Sequence, residues 1–202
     1  MKRLAVLASG QGTNLQAIIE ACDRKEIAGQ VVLVVSDCAS AYALKRAEKH
    51  QIESVFLDPN SFQGRNNYDQ TLVSILKGKK IDLVVLAGYM RLLPASFVEA
   101  FFLKIMNIHP SLLPALPGLD GIEQARAYGV KITGCTVHFV DQGLDSGPII
   151  LQASVPVIQK ESLETLKQRI QAAEHRIFPT AIDLFCRNKL KVEGRRCYII
   201  DH

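Results

Sequence analysis

Tryptophan is absent from the 202 residues, and aromatic residues make up only 6% of them. A surface that stacks single-stranded bases needs such rings in number, so that class of binder is disfavoured. No apolar run approaches the roughly 18 residues that a membrane span requires. The opening Met-Lys-Arg has the look of a secretory leader. The apolar stretch behind it ends after residue 8, however, and runs straight into Ser-Gly-Gln-Gly-Thr-Asn. A first strand is therefore expected rather than a leader, in a chain that stays in the cytoplasm, with no membrane partner. Charge of one sign is not in large excess either: 24 Lys and Arg stand against 20 Asp and Glu, a net +4. That is too little for a nucleic-acid binder, yet it leaves room for an anionic substrate. The five cysteines, Cys22, Cys38, Cys135, Cys186 and Cys197, form neither C-x-x-C nor zinc-ribbon spacing. They read as idle thiols in a reducing compartment, and no metal is expected.

What is present is an ordinary globular composition, 48% hydrophobic and 22% charged. Neither repeats nor linkers interrupt it, so one domain is expected. Through residue 110, short apolar runs (3–8, 31–36, 53–57, 81–87) alternate with helical patterns. Leu15, Ile18, Ile19 and Cys22 recur at i, i+3, i+4 and i+7; further helices are expected over 39–50 and 65–77. Runs without polar alternation are what parallel strands covered on both faces require. The fold class expected is therefore α/β, an open doubly wound sheet whose ligands gather at the strands' carboxyl ends. Beyond residue 110 come a Pro-rich loop (111–118), a short helix (121–128) and two long strands (131–140 and 148–157). The polar segment between those strands predicts an antiparallel pair. A helix starting at Ser162 carries Leu163, Leu166, Ile170, Ala173 and Ile177 on one stripe, with Pro179 expected to kink or break it. The two parts divide the expected work. Residues 1–110 would be a nucleotide- and phosphate-binding half, and 111–202 the half that carries the catalytic loop.

Four segments carry candidate chemistry. Ser9-Gly10-Gln11-Gly12-Thr13-Asn14 joins the first strand to the first helix, where backbone amides and the helix dipole favour an anion. It matches neither the Walker pattern nor G-x-G-x-x-G, since Leu15 stands where the third glycine would. A monophosphate site and a plain helix cap at Thr13 or Asn14 fit it equally well. Asp37, closing the second strand, keeps a dinucleotide-binding oxidoreductase open as an alternative. In the second segment, Asn107-Ile108-His109-Pro110, residues two apart on a strand face one side and the proline stiffens His109. An amide and an imidazole placed so can donate to an oxyanion. The third segment runs from Asp141 through Gln142, Gly143, Leu144 and Asp145 to Pro148. It lacks EF-hand spacing, and reads either as an acidic hairpin loop or as a carboxylate folding back on His109 to keep it protonated. On the last helix, Glu174 and Gln171 fall at about 20° and 80° from Leu163, beside the apolar stripe. Glu174 would there be half-shielded, for a ligand or for a lysine neighbour. His138, mid-strand, reads as structural, and the basic segment from Arg187 to Arg196 as a solvated edge.

Taken together, Ser-Gly-Gln-Gly-Thr-Asn-Leu-Gln-Ala-Ile-Ile, Val-Leu-Ala-Gly-Tyr-Met-Arg-Leu-Leu, Asn-Ile-His-Pro-Ser-Leu-Leu-Pro and Leu-Asp-Ser-Gly-Pro-Ile-Ile-Leu-Gln resemble the phosphoribosylglycinamide formyltransferases, folate-dependent enzymes of de novo purine synthesis. The His-Pro-Ser-Leu-Leu-Pro block belongs to the wider folate formyltransferase group, which includes methionyl-tRNA formyltransferase and formyltetrahydrofolate hydrolase. The Gly-x-Gly-Thr-Asn start and a length near 200 residues favour the ribonucleotide enzyme. The resemblance implies 10-formyltetrahydrofolate as cosubstrate and 5'-phosphoribosylglycinamide as substrate, with no nucleic-acid partner. Monomer and homodimer both stay open. It further implies that Gly12, Thr13 and Asn14 hold the phosphate, and that Gln171 and Glu174 contact the ribose and glycinamide. Arg65, Met90, Arg91, Leu92 and Leu93, with Asn107 and the loop from Asp141 to Asp145, would line the folate site. Asn107, His109 and Asp145 would be catalytic. One departure from the family is Asp120, where relatives carry histidine, and no role passes to it.

Overall fold

The computed structural model describes residues 1–200. Its centre is a nine-stranded sheet in the order β3-β2-β1-β4-β5-β6-β7-β9-β8. The strands are β1 (Lys2–Leu7), β2 (Gly29–Ser36), β3 (Ser54–Phe56), β4 (Leu83–Leu86), β5 (Ile105–His109), β6 (Ile132–Phe139), β7 (Ile149–Pro156), β8 (Leu190–Glu193) and β9 (Arg196–Ile199). The first five run parallel. Strand β6 then turns antiparallel to β5, and β7 antiparallel to β6. The helices are α1 (Thr13–Asp23), α2 (Tyr42–Lys49), α3 (Arg65–Gly78), α4 (Ala95–Ala100), α5 (Gly121–Tyr128) and α6 (Leu163–Cys186).

The apolar runs are continuous because successive side chains enter two different cores. On β1, Leu4, Val6 and Ala8 pack under α1 and α6, whereas Ala5 and Leu7 pack with Tyr68, Leu72 and Leu76 of α3. Strand β4 splits the same way, Leu83 and Val85 to one side, Val84 and Leu86 to the other. The pattern continues through Met106 and Ile108 of β5 and Cys135, Val137 and Phe139 of β6, all on the α1–α6 side. The opposite face of β5 and β6 is where Asn107, His109, Thr136 and His138 project. Polar side chains there replace the apolar ones that the α3 side uses elsewhere.

Helix α6 does not break at Pro179; it continues to Cys186. Phe178, Pro179, Ala181 and Ile182 are all buried, and that packing outweighs the lost backbone hydrogen bond. Ser162 caps its start by accepting from Thr165 N at 3.0 Å. Two elements were not anticipated, the short α4 and the β8–β9 hairpin. The basic C-terminal segment is therefore not merely a solvated edge: β9 joins the sheet beside Ile149 of β7. The strand order reverses between β1 and β4, so their carboxyl ends open a crevice between the loops that follow them.

Candidate active site

At the start of α1 the helix cap is Gly12 itself, at φ +65°, and no side chain caps the helix. The plain-cap reading of Thr13 and Asn14 is thereby set aside. Glycine is required here. A Cβ would lie 2.9 Å from both Cα and Cβ of Ala43 in α2, in a backbone region that disfavours side chains. Thr13 and Asn14 turn instead toward α6. Gln171 Nε2 donates to Thr13 Oγ1 at 2.9 Å, and Asn14 Nδ2 donates to Glu174 Oε2 at 2.9 Å. Glu174 is buried rather than half-shielded, with Asn14 and not a lysine as its partner. Burial pushes its carboxyl above the ordinary range, and the Asn14 bond offsets that in part.

Beside this pair opens a hollow of about 270 Å³ lined by Thr13, Gln16, Arg46 and His175. Arg46 braces the loop by donating to Gln11 O at 2.9 Å and to Gln16 Oε1 at 3.1 Å. His175 Nε2 is buried there without a hydrogen-bond partner. The sequence reading missed both Arg46 and His175. Arg46 lies in the helix expected over 39–50, and nothing local shows which loop α2 touches.

The second group forms where β5 meets β6. Asn107 lies opposite His138 in the antiparallel register, and His109 opposite Thr136. His138 Nδ1 lies 2.8 Å from Phe139 O, which can only accept, so the ring's proton is on Nδ1. Nε2 is then left to accept from Asn107 Nδ2 at 3.2 Å. Burial pushes the His138 imidazole below its usual range, which keeps that acceptor available. His138 is thus no bland strand residue: it fixes which way the Asn107 amide faces. The signal was present in the sequence, since 138 and 136 alternate with core residues as 107 and 109 do.

His109 is 5% exposed. Its Nε2 meets Leu116 O at 2.9 Å, and its Nδ1 stands 3.3 Å from Asp145 Oδ2. Both neighbours only accept, an arrangement that an imidazolium meets with its two N–H groups. Asp145 is held in place by Gly118 N, which donates to the same Oδ2 at 2.8 Å. Its other oxygen lies 3.7 Å from His138 Nε2. The loop that delivers it is stiff for local reasons. Asp141 Oδ1 accepts from Ser146 Oγ at 2.6 Å and from Gly143 N at 3.0 Å. Asp145 itself sits at φ +48°. Arg195, at the tip of the C-terminal hairpin, donates to Ser146 O at 2.8 Å.

A cleft of about 380 Å³ adjoins this cluster. Leu86, Leu93 and Val140 supply apolar lining, while Asn107, His138 and Asp145 supply its polar end. Arg91, Leu92 and the whole segment from Asp141 to Asp145 also line it. Met90 and Arg65 do not. The Met90 side chain is 64% exposed, and the residue contributes its N–H, which donates to Ser9 Oγ. Arg65 acts from behind, donating to Leu92 O and pairing with Asp69 at 3.6 Å. Arg91 lies over the Tyr68 ring at 4.6 Å, and the Tyr68 and Tyr89 hydroxyls meet at 2.7 Å. A second cleft of equal size, beside Arg126, Lys131 and Lys160, lies at the far end of β6 and β7 and contains no comparable cluster. Asp37 accepts from Ser9 Oγ at 2.6 Å through one of its two oxygens. Among the described residues no group of His, Cys, Asp and Glu could hold a metal ion, and no helix is long and apolar enough to cross a membrane.

Comparison with known proteins agrees with this geometry. The chain is 41% identical over 182 residues to the phosphoribosylglycinamide formyltransferase of Bacillus subtilis, covering 90% of this chain and 93% of that one. It is 42% identical over 196 residues to the enzyme of the same name from Escherichia coli, covering 97% and 92%. The crystal structure of glycinamide ribonucleotide transformylase 1 from Symbiobacterium toebii superposes with a TM-score of 0.98 at 51% identity, covering 100% of this chain and 95% of that one. The family model described as formyl transferase matches residues 2–182, and the chain belongs to that family.

Proposed function

We propose that this enzyme transfers the formyl group of 10-formyltetrahydrofolate to the glycinamide amine of 5'-phosphoribosylglycinamide, a step of de novo purine synthesis. One observation carries the reading. Asn107, His138 and Asp145 close one end of a cleft fit for a flat, partly apolar ligand, and His109 stands behind that end, 3.3 Å from Asp145. The first loop of the fold offers a helix N-terminus for a phosphate, with Gln171 and Glu174 at its side. The lining of the cleft suits a reduced folate: leucine and valine against a ring system, and main-chain groups of 141–144 for ring nitrogens.

In this mechanism the folate supplies a formyl carbon on N10. The glycinamide amine attacks that carbon, and the carbonyl oxygen takes up negative charge. Asn107 Nδ2, oriented by His138, and the His109 imidazolium donate to that oxygen. The His109 Nε2 proton is held by Leu116 O before reaction, so the loop carbonyl must yield that proton to the substrate oxygen. Asp145 orients His109 through Nδ1 and assists the proton that leaves the amine for N10, directly or through water. The carbonyl then re-forms as the bond from the formyl carbon to N10 breaks, releasing tetrahydrofolate. Glu174 and Gln171 orient the ribonucleotide from α6. The cytoplasm is the compartment in which this chemistry and these free thiols fit.

Purified protein mixed with both substrates, and with each omitted in turn, tests the reading through release of deformylated folate. Release that requires the ribonucleotide is the expected result. Release without it would identify a formyltetrahydrofolate hydrolase instead.

A further inference from the structure

The two loops that would hold the two substrates meet at a single residue. Ser9 ends β1 and opens the segment that leads to Gly12 and Asn14. Its N–H donates to Gly88 O at 3.0 Å. Its hydroxyl accepts from Met90 N at 2.9 Å and donates to Asp37 Oδ1 at 2.6 Å. Among the described residues, both hydrogen bonds that cross between residues 9–14 and 88–93 end on Ser9. The remaining supports of the second loop come from α3: Arg65 on Leu92 O, and Tyr68 on the Tyr89 hydroxyl. They touch nothing on the ribonucleotide side. Glycines flank the junction, Gly10 on one strand of chain and Gly88 on the other. A side chain at either would meet nothing within 4 Å. Ser9 is therefore the residue on which the hydrogen bonds between the two segments converge. Each segment is held otherwise by its own helix, the first by Ala43 N and Arg46 of α2 on Gly10 O and Gln11 O, the second by α3.

Resting on the formyl-transfer reading above, we infer that Ser9, with its hydroxyl oriented by Asp37, is a positioning residue that couples binding at the two substrate loops. An anion seated on the amides after Gly12 orders the loop that begins at Ser9. The main chain at Gly88 and Met90 is ordered with it, so the folate loses less freedom when it binds second. The reverse holds equally, because a coupling free energy between two binding sites is reciprocal. Asp37 matters because a serine hydroxyl rotates. With a carboxylate taking its proton, the oxygen's lone pair is left aimed at Met90 N.

The experiment is calorimetric titration of the whole enzyme with 5'-phosphoribosylglycinamide and with tetrahydrofolate, a pair that binds without turnover. Each is measured alone and with the other saturating. The wild type is expected to bind each ligand about tenfold more tightly when the other is present, by the same factor in both directions. Ser9→Ala is expected to bring that factor close to one, while each ligand alone binds within about threefold of wild type. Asp37→Asn keeps an acceptor oxygen and should retain the coupling; Asp37→Ala should lose it. The Asp37 pair decides the matter by itself should Ser9→Ala fail to fold. Absence of coupling in the wild type, or its survival in Ser9→Ala and Asp37→Ala, would overturn the inference and leave the formyl-transfer reading standing. Failure of the wild type to bind either ligand would instead overturn that reading, and this inference with it.

Discussion

The two ends of the site are built by different means. At the proposed ribonucleotide end, α1 and α6 face each other through polar side-chain contacts, Thr13 with Gln171 and Asn14 with Glu174. These partners are about 160 residues apart in the chain and are brought together by the core that Leu15, Ile18, Leu166 and Ile170 share. At the transfer end, the groups lie on adjacent antiparallel strands and on one loop, and the pairing involves charge, burial and a left-handed aspartate. The first arrangement suits holding a ligand in one pose. The second suits meeting charge that exists only during reaction, with the Asn107 amide already oriented and the His109 N–H available once Leu116 O gives it up. Substitutions should therefore separate into losses of turnover at one end and losses of binding or stability at the other.

The sharpest test of that division is His109→Ala, expected to lower kcat by about 10²–10³ with KM little changed, as steady-state kinetics would reveal. A fall confined to KM would move His109 to the binding end. Asp145→Asn follows, with a kcat loss of about 10², since the amide keeps the Gly118 contact but cannot balance a charged imidazole. Gly12→Ala should act at the other end. Its positive φ and the Ala43 contact together cost about 1–3 kcal/mol, read as a lower Tm and a raised KM for the ribonucleotide.

Glu174→Gln probes stability through pH. With its carboxyl raised by burial, the folded protein holds this proton more tightly than the unfolded chain does. Its contribution to stability is then greatest below the ordinary glutamate range. It falls as pH rises through the window between the unfolded and folded values, and is constant above it. The glutamine variant should melt higher than wild type at neutral pH, by about 2–4 °C for each kcal/mol regained, and the gap should close in acid. An equal gap at all pH values would show that the charge is not the cause. Arg195→Ala is expected to be mildest, a twofold to threefold loss of kcat, because one exposed hydrogen bond to Ser146 O steadies the Asp145 loop from outside.

Much of the transfer end was legible in the chain. Asn107 and His109 stand two apart at a strand end, and Asp145 follows in a loop that glycine and serine force to turn back. That logic is local, so spacing reveals it. His138 reads as structural, as a buried histidine bonded to Phe139 O is, but the amide it orients stays hidden until its register partner is known. Asn107 is that partner, thirty-one positions away. Arg46 and His175 were illegible for the same reason: only helix packing brings α2 and α6 around one hollow. Arg195 is exposed at the sheet edge, as read, but its bond to Ser146 O was hidden because its hairpin, four residues to a strand, is too short to show periodicity. Pro179 does not end its helix, since a buried helix tolerates a proline that an isolated one would not.

By itself, then, the sequence determined the parallel α/β order, because unbroken apolar runs between helical stripes admit few other burials. It determined the glycine turn at Gly12 and the Asn107–His109 pair as well, because both depend on neighbours in the chain. The tertiary structure alone decided which donors are free and which are spent. Leu116 O on His109, His138 on Asn107, and Asp37 on Ser9 are contacts between segments, and hydrogen-bond satisfaction in a buried site is a property of the packed whole.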